Sequence, residues 1–102
     1  MAQKRKGNQL ELNKTYEDLN IKSVLISRNV GEYTLEVVFE YFEKEYSFKS
    51  LGVREIENVS ELMEATQMWI NPSENSSQYE FGKLTLGFYS ESFFEINFDE
   101  LD

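Results

Sequence analysis

Glu32, Glu36 and Glu40 recur at every fourth position of a segment whose alternate residues are largely apolar, and Glu43 and Glu45 extend the series. Carboxylates in such an array can exchange protons, ligate hard cations, or present negative charge to a basic partner. Proton exchange of the glycosidase kind needs two acids about 5–10 Å apart, one of them with its pKa raised by burial. Four residues of extended chain separate Glu36 from Glu40 by about 13 Å, too far for that work. Pairs formed across strands stay open as an alternative. Asp99, Glu100 and Asp102 could be drawn as a magnesium or calcium site. The same residues also make an ordinary solvated acidic C-terminus, so no metal is expected.

Other catalytic reagents are missing. The 102 residues include no histidine and no cysteine, which removes imidazole acid–base chemistry and thiolate catalysis or ligation. The 5 glycines are scattered and match neither common phosphate-binding spacing. The chain is therefore expected not to be an enzyme and to need no cofactor.

Charge supplies the positive clue. The net charge is −9, but Lys4, Arg5, Lys6 and Lys14 leave the first 14 residues basic, and the remainder carries a large acidic excess. Such a body repels nucleic acid and anionic membrane and attracts basic protein surfaces. No stretch approaches the ~20 apolar residues of a membrane span, and the basic N-terminus lacks the apolar run of a secretory signal. The expected compartment is the cytoplasm.

The elements that position these groups follow from periodicity. Residues 1–8 read as a disordered basic tail and 9–102 as one domain, with Asn8–Leu12 a short edge strand and Tyr16–Leu19 a turn. Ile21–Arg28 reads as a strand that ends at Asn29-Val30-Gly31. Glu32–Tyr41 is the clearest strand: Tyr33, Leu35, Val37, Phe39 and Tyr41 share one face, and the glutamates share the other. Glu43-Lys44-Glu45 turns the chain into a third strand through Tyr46 and Phe48. Gly52 marks a bulge before Val53–Glu57 continues that strand.

Val59, Leu62, Met63, Thr66 and Ile70 follow helical spacing, with Asn58 as N-cap and Glu61 completing a capping-box pattern. This predicts a helix over 59–70, ended by Asn71-Pro72, with Trp69 near its end and off the apolar stripe. A polar loop, Ser73–Gln78, follows. Tyr79–Tyr89 and Phe93–Phe98 then form a second hairpin, with a bulge at Gly82. The expected fold is α+β, a mostly antiparallel sheet of about five to six strands in the order β-β-β(β)-α-β-β.

The run Ile21–Arg28, a turn and Tyr33–Phe39, followed by Tyr46–Ile56 and the closing Phe93–Phe98 strand, resembles small cytoplasmic immunity proteins of bacterial toxin systems. The resemblance covers about two-thirds of the chain and lies in alternation and turn placement; it departs at the helix and the basic tail. Small acidic phage inhibitors of defence nucleases, anti-CRISPR proteins included, are similar in size and charge. Neither class supplies functional residues; with the acidic charge, these likenesses point to a stoichiometric inhibitor that occludes a basic, nucleic-acid-binding surface of a partner protein, a toxin or a defence nuclease. Glu32, Glu36, Glu40, Glu43 and Glu45 would meet its Lys and Arg side chains, with Tyr41 and Trp69 as anchors. A second reading is an assembly subunit that homodimerises through an edge strand. A third is a carboxylate enzyme or small-ligand binder, which a polar cleft with converging acids would favour.

Overall fold

The computed structural model describes residues 10–72 and 83–102, and it arranges them as two four-stranded sheets with one short helix. The strands are β1 (Tyr16–Glu17), β2 (Asn20–Asn29), β3 (Glu32–Tyr41), β4 (Lys44–Val53), β5 (Gln67–Pro72), β6 (Leu84–Tyr89), β7 (Phe93–Phe98) and β8 (Glu100–Leu101), with α1 (Val59–Leu62) between β4 and β5. One sheet runs β2-β3-β4-β8 and the other β1-β5-β6-β7, and every pairing is antiparallel. The mostly antiparallel character and the presence of a helix agree with the sequence, but among the described residues the strands number 8 rather than five to six.

Alternation explains the layering. Leu35, Val37 and Phe39 of β3 and Phe48 and Val53 of β4 join Met68, Ile70, Leu86, Phe88, Ile96 and Phe98 of the other sheet in one buried cluster. Each strand turns its period-two apolar face inward, as a half-buried antiparallel sheet requires. The predicted face of β7, with Phe94, Ile96 and Phe98 together, packs into this cluster. Tyr16 is fully buried, and its hydroxyl accepts the Glu11 amide at 2.9 Å. Burial raises the pKa of that hydroxyl, and the Glu11 hydrogen bond and Lys14 pull it part-way back.

The helix prediction over 59–70 is corrected. α1 spans only Val59–Leu62, and the Asn58 side chain makes no capping hydrogen bond, so the capping box does not form. Gln67–Pro72 is strand β5 because its alternation outweighs the helical pattern. Met68 and Ile70 are buried while Gln67, Trp69 and Asn71 face away. The Tyr89 carbonyl accepts the Thr66 amide at 2.9 Å and starts the pairing with β6. The helical spacing over 59–70 thus spans four residues of helix, a turn and the first four residues of β5.

Several boundaries also move. Residues 10–12 carry no strand, and Tyr16–Glu17, expected as a turn, pairs with β5. Lys44 and Glu45 lie inside β4, so the β3–β4 turn is Phe42-Glu43 rather than 43–45. β4 ends at Val53 rather than continuing to Glu57. The bulge at Gly52 is present: the β3–β4 register shifts between Tyr33 and Leu35, and Gly52 adopts φ +77. A Cβ there would lie 2.4 Å from the Asp99 carboxylate. The tail at 1–8, the Ser73–Gln78 loop, and Tyr79, Phe81 and Gly82 lie outside the described residues.

Candidate protein-binding surfaces

The outer face of the β2-β3-β4-β8 sheet carries the glutamate row, as alternation predicts, but its neighbours divide it into unlike parts. At one end Glu32 pairs with Arg54 at 3.5 Å, and Arg54 also meets Asp99 at 3.3 Å and the Gly31 carbonyl at 3.3 Å. In the middle Glu36 stands between Leu25 of β2 and Lys49 of β4. At the other end Glu40 lies directly opposite Glu45, with Asn20 on its far side. Negative charge on this face therefore gathers at the hairpin tip, where Glu43 adds a third carboxylate. Like charges directly opposite each other cost stability.

The tip has an uncommon backbone. Phe42 and Glu43 close a two-residue turn between the paired Tyr41 and Lys44, with φ of 54 and 64. Left-handed φ at both positions is what a type I′ hairpin turn demands, and Asn-Gly is its usual solution because most side chains resist that conformation. Asn13 and Asp18, the other described non-glycine residues with positive φ, are of types that tolerate it. Phe42 is 79% exposed. Its ring leans on Tyr41 at 4.6 Å, which aims it without covering it.

Tyr41 itself points the other way. It shares the inward parity of Leu35, Val37 and Phe39 and is half-buried, 4.9 Å from the Tyr16 ring and 6.0 Å from Tyr46. The Lys14 ammonium lies 5.5 Å above the Tyr41 ring and 4.9 Å above Tyr16. Lys44, opposite Tyr41, is on that side too. The tip is thus acidic on its outer face and aromatic and basic on its inner one.

Trp69 lies on the outer face of the opposite sheet. Its indole lies across Gly87 so closely that a Cβ there would come within 2.4 Å of the ring. It stacks near-parallel on Phe93 at 5.6 Å. Tyr89 and Phe93 are 43% and 53% exposed beside it. Asn13, Thr15, Glu17, Gln67 and Asn71 join Trp69 around a shallow open groove of about 530 Å³. The structure therefore keeps Glu40, Glu43 and Glu45 together, sets Glu32 and Glu36 beside cations, turns Tyr41 inward and puts Trp69 on another surface.

Sequence reasoning missed Phe42. Its signal was a large aromatic at the point where the alternation of β3 must reverse into β4.

The chain matches no family model, no curated protein and no solved structure. Its surfaces carry the functional argument. Among the described residues no three His, Cys, Asp or Glu side chains gather as a metal site would require, and no helix is long and apolar enough to cross a membrane. Glu40 and Glu45 are close enough across the ladder for a carboxylate pair. They stand on the open outer face of the sheet rather than in an enclosed cleft.

Proposed function

We propose that this protein is a non-catalytic inhibitor that docks the tip of its β3–β4 hairpin onto a basic, nucleic-acid-binding surface of a partner protein, a toxin or a defence nuclease. The observation that carries this reading is the Phe42-Glu43 turn. Two residues ill-suited to left-handed backbone occupy a turn that Asn-Gly would close at lower cost, and the larger is held in solvent. Strain kept at an exposed site is a mark of function rather than of folding.

The chemistry is that of an anchor within a charged rim. Burying the Phe42 ring in a partner pocket contributes roughly 2 kcal/mol, about thirtyfold in Kd. Glu40, Glu43 and Glu45 meet Lys and Arg groups that otherwise hold phosphates, and the field of a −9 chain speeds the encounter. Glu32 and Glu36 act as long-range charge, since Arg54 and Lys49 already stand beside them.

The test is side-by-side capture from a host lysate with wild type and with the Glu40→Lys, Glu43→Lys, Glu45→Lys variant. Glu43 and Glu45 are exposed and Glu40 is half-buried on the outer face, and a far-UV spectrum matching wild type is required of the variant. The reading requires a basic protein retained by wild type and lost by the variant. A captured protein held equally by both would set it aside.

A further inference from the structure

β2 is exposed in a way that the proposed docking tip does not explain. Among the described residues it pairs with β3 alone, so one side of a ten-residue strand offers unpaired backbone donors and acceptors. Its centre is apolar on both faces. Leu25, on the outer face, is 59% exposed, and Ile26, on the inner face with Leu35, is 43% exposed. Proteins usually protect such an edge with charge, proline or a bulge. β2 has this protection only towards its ends, where Lys22 forms a bulge between Ile21 and Ser23 and Arg28 stands near the turn. The five residues between carry none.

Those five residues read almost the same in both directions: Ser23, Val24, Leu25, Ile26, Ser27. A two-fold interface uses the same patch twice, so an antiparallel strand pairing with itself needs this self-complementarity. Charge agrees. Asn20–Asn29 contains Lys22 and Arg28 but no acid, although the whole chain carries −9. Two copies can meet at β2 without setting carboxylate against carboxylate.

We infer that the protein forms a two-fold homodimer through antiparallel pairing of β2 with β2 of a second copy, centred on Leu25. In this register Leu25 faces Leu25 of the second copy on the outer side. Val24 faces Ile26 of the second copy on the inner side, which covers the exposed Ile26 side chain. Lys22, as the extra residue of the bulge, falls outside the regular ladder and does not stand square to Arg28 of the second copy. Because β3 runs antiparallel to β2, the two hairpin tips lie at opposite ends of the joined sheet, a bivalent arrangement for a symmetric partner.

The test uses the absence of native cysteine. Residues opposite each other across an antiparallel ladder have Cα atoms about 4.5–5.5 Å apart, within the span a disulfide bridges, whereas four residues of strand separate Ser27 from its own copy by about 13 Å. Wild type should show twice the chain mass by light scattering. Leu25→Cys should form a covalent dimer under mild oxidation, while Ser27→Cys stays a single chain on a denaturing gel. Leu25→Asp should weaken association at least about tenfold, with an unchanged far-UV spectrum because the position is exposed. A wild type that stays monomeric up to about 0.5 mM overturns the inference. So does a dimer in which Leu25→Cys and Ser27→Cys cross-link alike, or one that Leu25→Asp leaves intact.

Discussion

Replacing Phe42-Glu43 with Asn-Gly should make the protein more stable while weakening its binding. Left-handed backbone costs an ordinary residue roughly 1 kcal/mol or more, a cost that glycine avoids and asparagine reduces. Against this stands the contact of Phe42 with Tyr41, centroids 4.6 Å apart, on a ring that is 79% exposed. An exposed aromatic pair of this kind returns about 0.5 kcal/mol. The balance is a gain of about 1 kcal/mol, which raises the midpoint of thermal unfolding by roughly 4 °C in a domain of this size. In urea the midpoint rises by about 0.5–1 M at an unchanged slope. Trp69 is the single tryptophan and reports unfolding from the opposite sheet, away from the substitution. A midpoint that falls would mean that Phe42 and Glu43 serve the fold, and the argument from strain to docking would lose its basis.

Three further outcomes follow from the core and its seams. Gly52→Ala should cost about 2 kcal/mol in chemical denaturation, because it forces φ +77 on alanine and pushes Asp99 away from Arg54. Ser50 is fully buried and its hydroxyl has no hydrogen-bond partner among the described residues, so Ser50→Ala should stabilise by about 1 kcal/mol, read in the same assay. The raised pKa of Tyr16 sets an alkaline limit. The unfolded chain loses this proton at lower pH than the folded one, so the contribution is complete below the ordinary tyrosine value and is lost as pH rises through the folded value. Unfolding midpoints measured up the alkaline range should fall less steeply in Tyr16→Phe than in wild type.

What the sequence disclosed was what period-two burial can encode. β3 was legible because Leu35, Val37 and Phe39 must all face one core, and a slip of one residue would expose every one of them. The same logic put Glu32, Glu36 and Glu40 on the outer face and found Phe94, Ile96 and Phe98 together. Gly52 was legible as a bulge because a left-handed position beside Asp99 excludes a Cβ.

Non-local pairing was not legible. Nothing in Gln67–Pro72 announces that it will lie between β1 and β6, and Val59 to Ile70 satisfies a helical stripe and a strand alternation in turn. The division into two sheets decides which predicted residues share a surface. It sends Trp69 to the opposite outer face, and the parity of β3 turns Tyr41 inward against Tyr16. The glutamate row kept its face but not its uniform charge. Arg54, just past the end of β4 and the Gly52 bulge, reaches Glu32.

The central claim is that the hairpin tip grips a basic partner, and the most direct measurement is the affinity of the captured partner for wild type and for the Phe42→Asn, Glu43→Gly variant. The account predicts a stoichiometric complex with wild type that weakens steeply between about 0.05 and 0.5 M salt, and an affinity at least about tenfold lower for the variant although its fold is the more stable. Equal affinity for the two proteins, with no response to salt, would contradict it.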